Sequence, residues 1–456
     1  MKLLAKALKK VLPGSVCLLL LFSFTVTVAL ANAAEVELID LLELALKENS
    51  QVKDALIELE KATVNWQAST GQIKPQIGID GNFIRAYMPL QVNQGNTIDY
   101  WNAEVAAKLS TYLPTGTQLN LVGKWSQLEL IDQPDFEFDE KITYTLSVSQ
   151  PLFRKINTLP MWQAINLNQR GIQQKEIELL KVKRDVALLI IENYLTAWEK
   201  QEQLDSVKRR LSWASQELAR VEQQYELGNA TKLDYLESKL RYQELQLELE
   251  TAAINLERAL DELKRNVGVE DLVIKLTALP DLASLSALGL KGVNPELELA
   301  KLAVAANQYN YEVAKADNQW QSRLNGSYNK DGTWQVNLNV SIPLFDSQIA
   351  KHKLKSSSLQ LEQSTANLER ATEAFQRQQK QLADELGQLK ERLRLAEESL
   401  AVAELRKETV ELRAELGAVS FSEKYTVVEQ WENAYLRLIA LQKQNQLLQI
   451  QAWFLQ

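Results

Sequence analysis

The sequence predicts a membrane protein of mixed α and β class, with two-faced strands joined to long coiled-coil helices in two tandem structural repeats. Three observations carry that prediction. Residues 334–345, WQVNLNVSIPLF, put Trp334, Val336, Leu338, Val340 and Ile342 on one side and Gln335, Asn337, Asn339 and Ser341 on the other. Successive strand side chains point to opposite faces, so this segment wants hydrocarbon or core on one side and water on the other. Its nine residues before Pro343 match a tilted, bilayer-spanning strand. Second, residues 142–153, ITYTLSVSQPLF, repeat six of those twelve residues in register, which marks a duplication. Third, Ile190, Ala197, Leu204, Leu211, Leu218 and Tyr225 recur every seven residues, as do Leu361, Leu368, Phe375, Leu382, Leu389, Ala396, Ala403 and Val410. A sustained heptad implies left-handed coiled-coil packing rather than a globular core.

Along the chain, Lys2, Lys6, Lys9 and Lys10 precede an apolar run from Val11 to Leu30 and the small-residue site Ala31-Asn32-Ala33, so residues 1–33 read as a signal peptide. Its loss takes four of the 51 basic residues, leaving 47 against 59 acids and moving the net charge from −8 to −12. Such a balance argues against a nucleic-acid partner. The sole cysteine, Cys17, lies in that apolar run, so the mature chain offers no disulfide or thiolate chemistry. No apolar run of 18 residues follows Leu30, and a membrane crossing would therefore use strands.

Residues 37–69 read as one amphipathic helix, with Asn49-Ser50 the place for an interruption. Strands are expected at 76–85, 100–112, 117–128 and 141–150, with loops at 88–97 and 129–140. A helix from Pro160 to Glu226 would be about 100 Å long. It stops at Tyr225-Glu226-Leu227-Gly228, and Thr231 caps a return helix over 232–266. A linker over 269–293 leads to Asn294-Pro295, which opens the second copy. That copy has only two strands, 322–329 and 334–342, joined through Lys330-Asp331-Gly332-Thr333. Its hairpin turns at Ala414-Glu415-Leu416-Gly417-Ala418-Val419-Ser420 and returns over 422–452. The repeats are thus residues 34–268 and 294–456.

The chain resembles the TolC-type outer-membrane efflux proteins. The resemblance rests on the strand-to-helix corners Pro151 to Phe153 and Pro343 to Phe345, on Asn294-Pro295-Glu296-Leu297, and on Tyr225-x-x-Gly228 followed by Asp234-Tyr235-Leu236. It implies a homotrimer whose strands close one β-barrel in the outer membrane, continuous with a periplasmic helical tunnel. It also implies partners: a periplasmic adaptor, an inner-membrane pump and outer-membrane lipid. Tips at Gly228, Asn229, Gly417 and Ala418 would dock the adaptor. Entrance acids lie six and nine residues after the family's hairpin glycine; here those positions hold Glu423 and Thr426, with Asp234 and Glu237 in the first copy. A selective charge ring and a plain solvated helix face both stay open for Glu423. Six strands per chain would give about eighteen in a trimeric barrel instead of the family's usual twelve, if the extra pair joins the wall.

No phosphate loop, nucleophile motif or Cys/His cluster points to an enzyme, and no cofactor or metal is expected. The single histidine, His352, sits among lysines in a surface-like stretch. The reading from another class is a periplasmic coiled-coil adaptor or cell-envelope structural protein; adaptors carry one helical hairpin, whereas this chain has two.

Overall fold

The computed structural model describes residues 37–89, 97–130, 141–269, 271–274, 276, 288–290, 294–341, 346, 348–415, 419 and 421–455. The expected signal peptide, most of the 269–293 linker, and Pro343, Phe345, Gly417 and Ala418 lie outside the described residues.

Helix α1 (Leu38–Glu48) and α2 (Ser50–Gly71) meet at Asn49, where the sequence offered an interruption. Asn49 is extended, its side chain accepts a hydrogen bond from the Gln51 amide at 2.9 Å, and its Nδ2 donates to the Asn266 carbonyl at 2.7 Å. One side chain thus starts α2 and ties it to the far end of the first hairpin. Asn49→Ala is expected to cost about 1–2 kcal/mol in urea unfolding, because a cap and a long-range hydrogen bond are lost together.

Helix α3 (Pro160–Glu226) has the length its heptads predict, and α4 (Lys232–Val267) returns along it. Helix α5 (Pro295–Asp317) opens under Asn294, whose side chain caps Glu296 and Leu297. Helix α6 (Ile349–Glu415) and α7 (Phe421–Phe454) form the second hairpin, and α7 also packs along α3. Leu382, Leu389, Ala396 and Val410 of the α6 heptad are buried. Tyr225, the last residue of the α3 series, instead leaves the seam and stacks on Tyr235 at 5.6 Å, because the chain is already turning there. The main apolar core sits mid-way along the rods, where Leu41, Leu42 and Ala45 of α1 meet Val186, Ile190, Ile191 and Tyr194 of α3, Leu263 of α4 and Ile450 of α7.

All six strands form one antiparallel meander in chain order: β1 Gln76–Pro89, β2 Thr97–Tyr112, β3 Gln118–Leu130, β4 Lys141–Leu152, β5 Gln321–Asn329 and β6 Trp334–Ser341. The expected loops shorten accordingly, since cross-strand pairing carries β1 on to Pro89 and starts β2 at Thr97, beyond where local alternation fades. The strands before the first hairpin join those after it through the pairing of β4 with β5.

Register shows what the alternation does. Ile77, Leu109, Leu121, Leu146, Tyr328 and Trp334 form one row across all six strands, and Gln76, Ser110, Asn120, Ser147, Ser327 and Gln335 form the next. One face is apolar and the other polar from edge to edge. Ile77 is 80% exposed and Trp334 74%, so nothing among the described residues covers these parts of the apolar face. The ion pairs Asp80 with Lys108 and Glu104 with Lys124 lie on the polar face.

Candidate functional site

The first tip is a capped turn. Gly228 adopts φ +75°, a left-handed conformation glycine takes without a Cβ penalty, and the Asn229 amide donates to the Gln224 carbonyl at 2.8 Å. Thr231 and Asp234 then form a capping box: the Asp234 amide donates to Thr231 Oγ1 at 3.1 Å, and the Thr231 amide to Asp234 Oδ2 at 2.8 Å. The Thr231 hydroxyl, donating to Asp234 Oδ2 at 2.6 Å, and then the Thr231 amide hold the Asp234 carboxyl below its usual range. Asp234 therefore starts α4, a task its suggested role as an entrance acid did not include. Glu237, one turn on, lines a cleft of about 540 Å³ between the tip and α7, with Asn229, Arg241, Tyr425 and Glu429. Glu423 is in the first turn of α7, 3.5 Å from Arg413 of α6 across the second tip. The structure thus places Glu237 with the first tip and Glu423 at the second, with an arginine facing the latter.

Behind the tips, a polar network joins the first hairpin to α7. Arg209 of α3 donates from Nε and Nη2 to the two oxygens of Glu432 at 2.9 and 2.8 Å, in the paired fork geometry that suits guanidinium to carboxylate. Glu432 is almost wholly buried, and the guanidinium stands over the rings of Trp431 and Tyr435 at 5.7 and 5.3 Å. Tyr435 donates its hydroxyl to Glu202 at 2.7 Å. Nearer the tip, Arg241 of α4 lies over Tyr425 at 3.4 Å and meets Glu429 at 3.4 Å. Farther away, Lys443 pairs with Glu199 at 2.9 Å. Lys407 of α6 sits 4.0 Å above Trp431, so the second hairpin is tied into the same cluster. Every contact but the last, which lies within the second hairpin, couples one hairpin to the other, and together they resist separation of the two.

Burial, then the hydrogen bond to Glu202, push the Tyr435 phenol up to about 12. A phenol raised above its usual 10.0 stabilises the fold fully below pH 10 and loses that contribution as pH climbs through about 12. Spectrophotometric titration should find one tyrosine ionising near pH 12, absent from Tyr435→Phe.

Sequence reasoning missed this network. The only local signal was the pair of aromatics Trp431 and Tyr435 four residues apart around an acid, in a helix of otherwise aliphatic seam positions.

At the membrane end, Phe153 turns the chain from β4 towards α3 with φ +58°, a strained value for a bulky residue. Its ring packs against Trp320 at 5.3 Å with the two planes tilted by 40°, and Arg154 next to it pairs with Asp317 at 2.7 Å. Pro151 is paired with Arg323 in the sheet.

No family profile matches the chain. The alkaline protease secretion protein AprF of Pseudomonas aeruginosa is 23% identical over 260 residues, covering 50% of this chain and 52% of AprF. The chain thus matches about half the length of that curated relative. The outer membrane protein VceC of Vibrio cholerae superposes with a TM-score of 0.67 at 15% identity, over 91% of this chain and 96% of VceC. The Campylobacter jejuni outer membrane channel CmeC gives 0.66 at 14% identity, over 92% and 85%. The chain has the fold of the TolC-type outer-membrane channels, as its strand corners and hairpins led one to expect. CmeC and the similarly folded OprN, at a TM-score of 0.66 and 13% identity, are outer-membrane channels.

Proposed function

We propose that this chain is the outer-membrane exit duct of a tripartite efflux or type I secretion system. Three copies join their sheets into one barrel in the outer membrane, and their helical hairpins form a tunnel through the periplasm. An inner-membrane pump supplies the energy and a periplasmic adaptor docks at the tips. Repeats 34–268 and 294–456 each contribute strands and one hairpin. The protein catalyses nothing and needs no cofactor; it supplies a water-filled path.

One observation carries this reading. A single chain presents a sheet that is apolar on one face and polar on the other, joined to helices of 67 residues, about 100 Å each. An open sheet cannot sit in lipid with unpaired edges, and closure among copies removes them. The name of AprF, a secretion protein, agrees with export. The network of Arg209, Glu432, Tyr435, Arg241 and Glu429 would hold the periplasmic end closed until the hairpins are drawn apart. Glu237 and Glu423 would face cargo at that entrance.

The decisive test is reconstitution of the purified protein in planar bilayers with electrophoresis of heated and unheated samples. A heat-modifiable trimer that conducts ions is the expected result. A water-soluble monomer without conductance would favour the adaptor or structural reading. For the tips, Asn229→Trp should abolish crosslinking to the adaptor and leave the trimer intact.

A further inference from the structure

The strand register fixes more than the two faces. Gln76 and Ser341 both end their strands against the helical body. Following paired residues from Gln76 across the sheet leads to Ser110, Asn120, Ser147, Ser327 and then Gln335, six residues short of Ser341 along β6. The register therefore climbs six residues in five strand steps. With about 3.3 Å per residue and about 4.8 Å between strands, that stagger corresponds to a strand tilt of about 40°. Closed barrels require a tilt of about 35–45°. The sheet of one chain, β2 and β3 included, is thus already sheared as a barrel wall.

The added hairpin also obeys the wall's chemistry. Val105, Ala107, Leu109, Leu121 and Trp125 continue the apolar face, while Glu104, Lys108, Asn120, Lys124 and Ser126 continue the polar one. A ribbon folded into the lumen or over the rim would have no use for a band of hydrocarbon-facing residues in register with its neighbours. The β6 edge in particular invites continuation. β6 carries no charge and no proline, the usual protections of a free edge, and neither β1 nor β6 has an outer partner among the described residues. With six strands per chain, β1 and β6 run in opposite directions, so the β6 edge of one copy meets the β1 edge of the next antiparallel.

We infer that β2 and β3 are wall strands, and that the trimer closes an eighteen-stranded barrel through β6-to-β1 pairing between copies; this rests on the duct reading above. At about 40° tilt the backbone diameter is about 36 Å, against about 24 Å for twelve strands. The bore at the membrane is then about half as wide again, in the range that holds an open aqueous channel. Its polar lining is largely Ser, Thr and Asn in β4 to β6, while β1 to β3 add Asp80, Glu104, Lys108 and Lys124, paired with one another along the wall. The duct is dimensioned for bulky cargo.

Electron cryo-microscopy of the full chain in lipid nanodiscs reads the diameter directly, and cysteine chemistry is open because the sole native cysteine is Cys17. Particles should show a barrel about 36 Å across. Ala106→Cys should react with a membrane-impermeant thiol reagent and Ala107→Cys should not. Double variants pairing Gln76→Cys or Gly78→Cys with Asn339→Cys or Ser341→Cys should form disulfides between copies; Gly78 has open space for the added side chain. A trimer about 24 Å across, or equal labelling at 106 and 107, overturns the eighteen-stranded wall and leaves the duct reading standing. Absence of any trimer overturns both.

Discussion

Replacing Leu338 by arginine is expected to destabilise the membrane-embedded protein by about 2–4 kcal/mol, the cost of placing a guanidinium at the bilayer midplane on the lipid face of a barrel strand. Leu338 is central in β6, 61% exposed in the single chain, and paired with Leu324 on the apolar face. The neighbouring change Asn337→Arg puts the same charge on the polar face, where water solvates it, and should cost almost nothing. Asn337 pairs with Asn325, whose Oδ1 accepts from Ser149. Urea unfolding in lipid vesicles, followed by loss of the heat-modifiable band, separates the two. Equal effects at 337 and 338 would mean that neither face of β6 meets lipid. A smaller loss at Trp334→Arg, near the strand end, would map the depth of the hydrocarbon.

The second large effect concerns closure. Glu432→Ala should raise conductance in planar bilayers several-fold and lower the stability of the helical body by about 2 kcal/mol, since two hydrogen bonds between charged groups are lost. The Glu432 side chain is only 3% exposed while Arg209 is 39% exposed, so water reaches the orphaned guanidinium and the loss stays below that of a fully buried pair. Arg209→Ala with Glu432→Ala should cost less than the sum of the single changes, as expected of residues in direct contact. Arg209→Lys keeps the charge, removes the fork and should fall between wild type and alanine. Lower stability with unchanged conductance would make the pair a packing contact and move the gate elsewhere.

Much of the molecule was legible in the chain because two periods, 2 and 7, are local. Trp334 to Ser341 declares a two-faced strand by itself, and Pro160 to Glu226 declares a long seam ending at a glycine; both elements have the predicted limits within a residue or so. The tips were legible for the same reason, since Gly228 and the Thr231-Asp234 box act within one turn. Asn49 was half legible: its cap is local, while its bond to Asn266 spans 217 positions.

By itself, then, the sequence determined the elements, their faces and their lengths, because backbone periodicity and capping are decided by neighbours along the chain. The tertiary structure alone decided that β2 and β3 lie in the sheet between β1 and β4, and that β4 pairs with β5, more than 160 positions on. It alone brought Arg209 to Glu432, 223 positions away. Alternation assigns a strand its two faces without choosing its neighbours, and a charged residue on a helix carries no mark of its distant partner. Register and pairing are set only when the whole chain has packed.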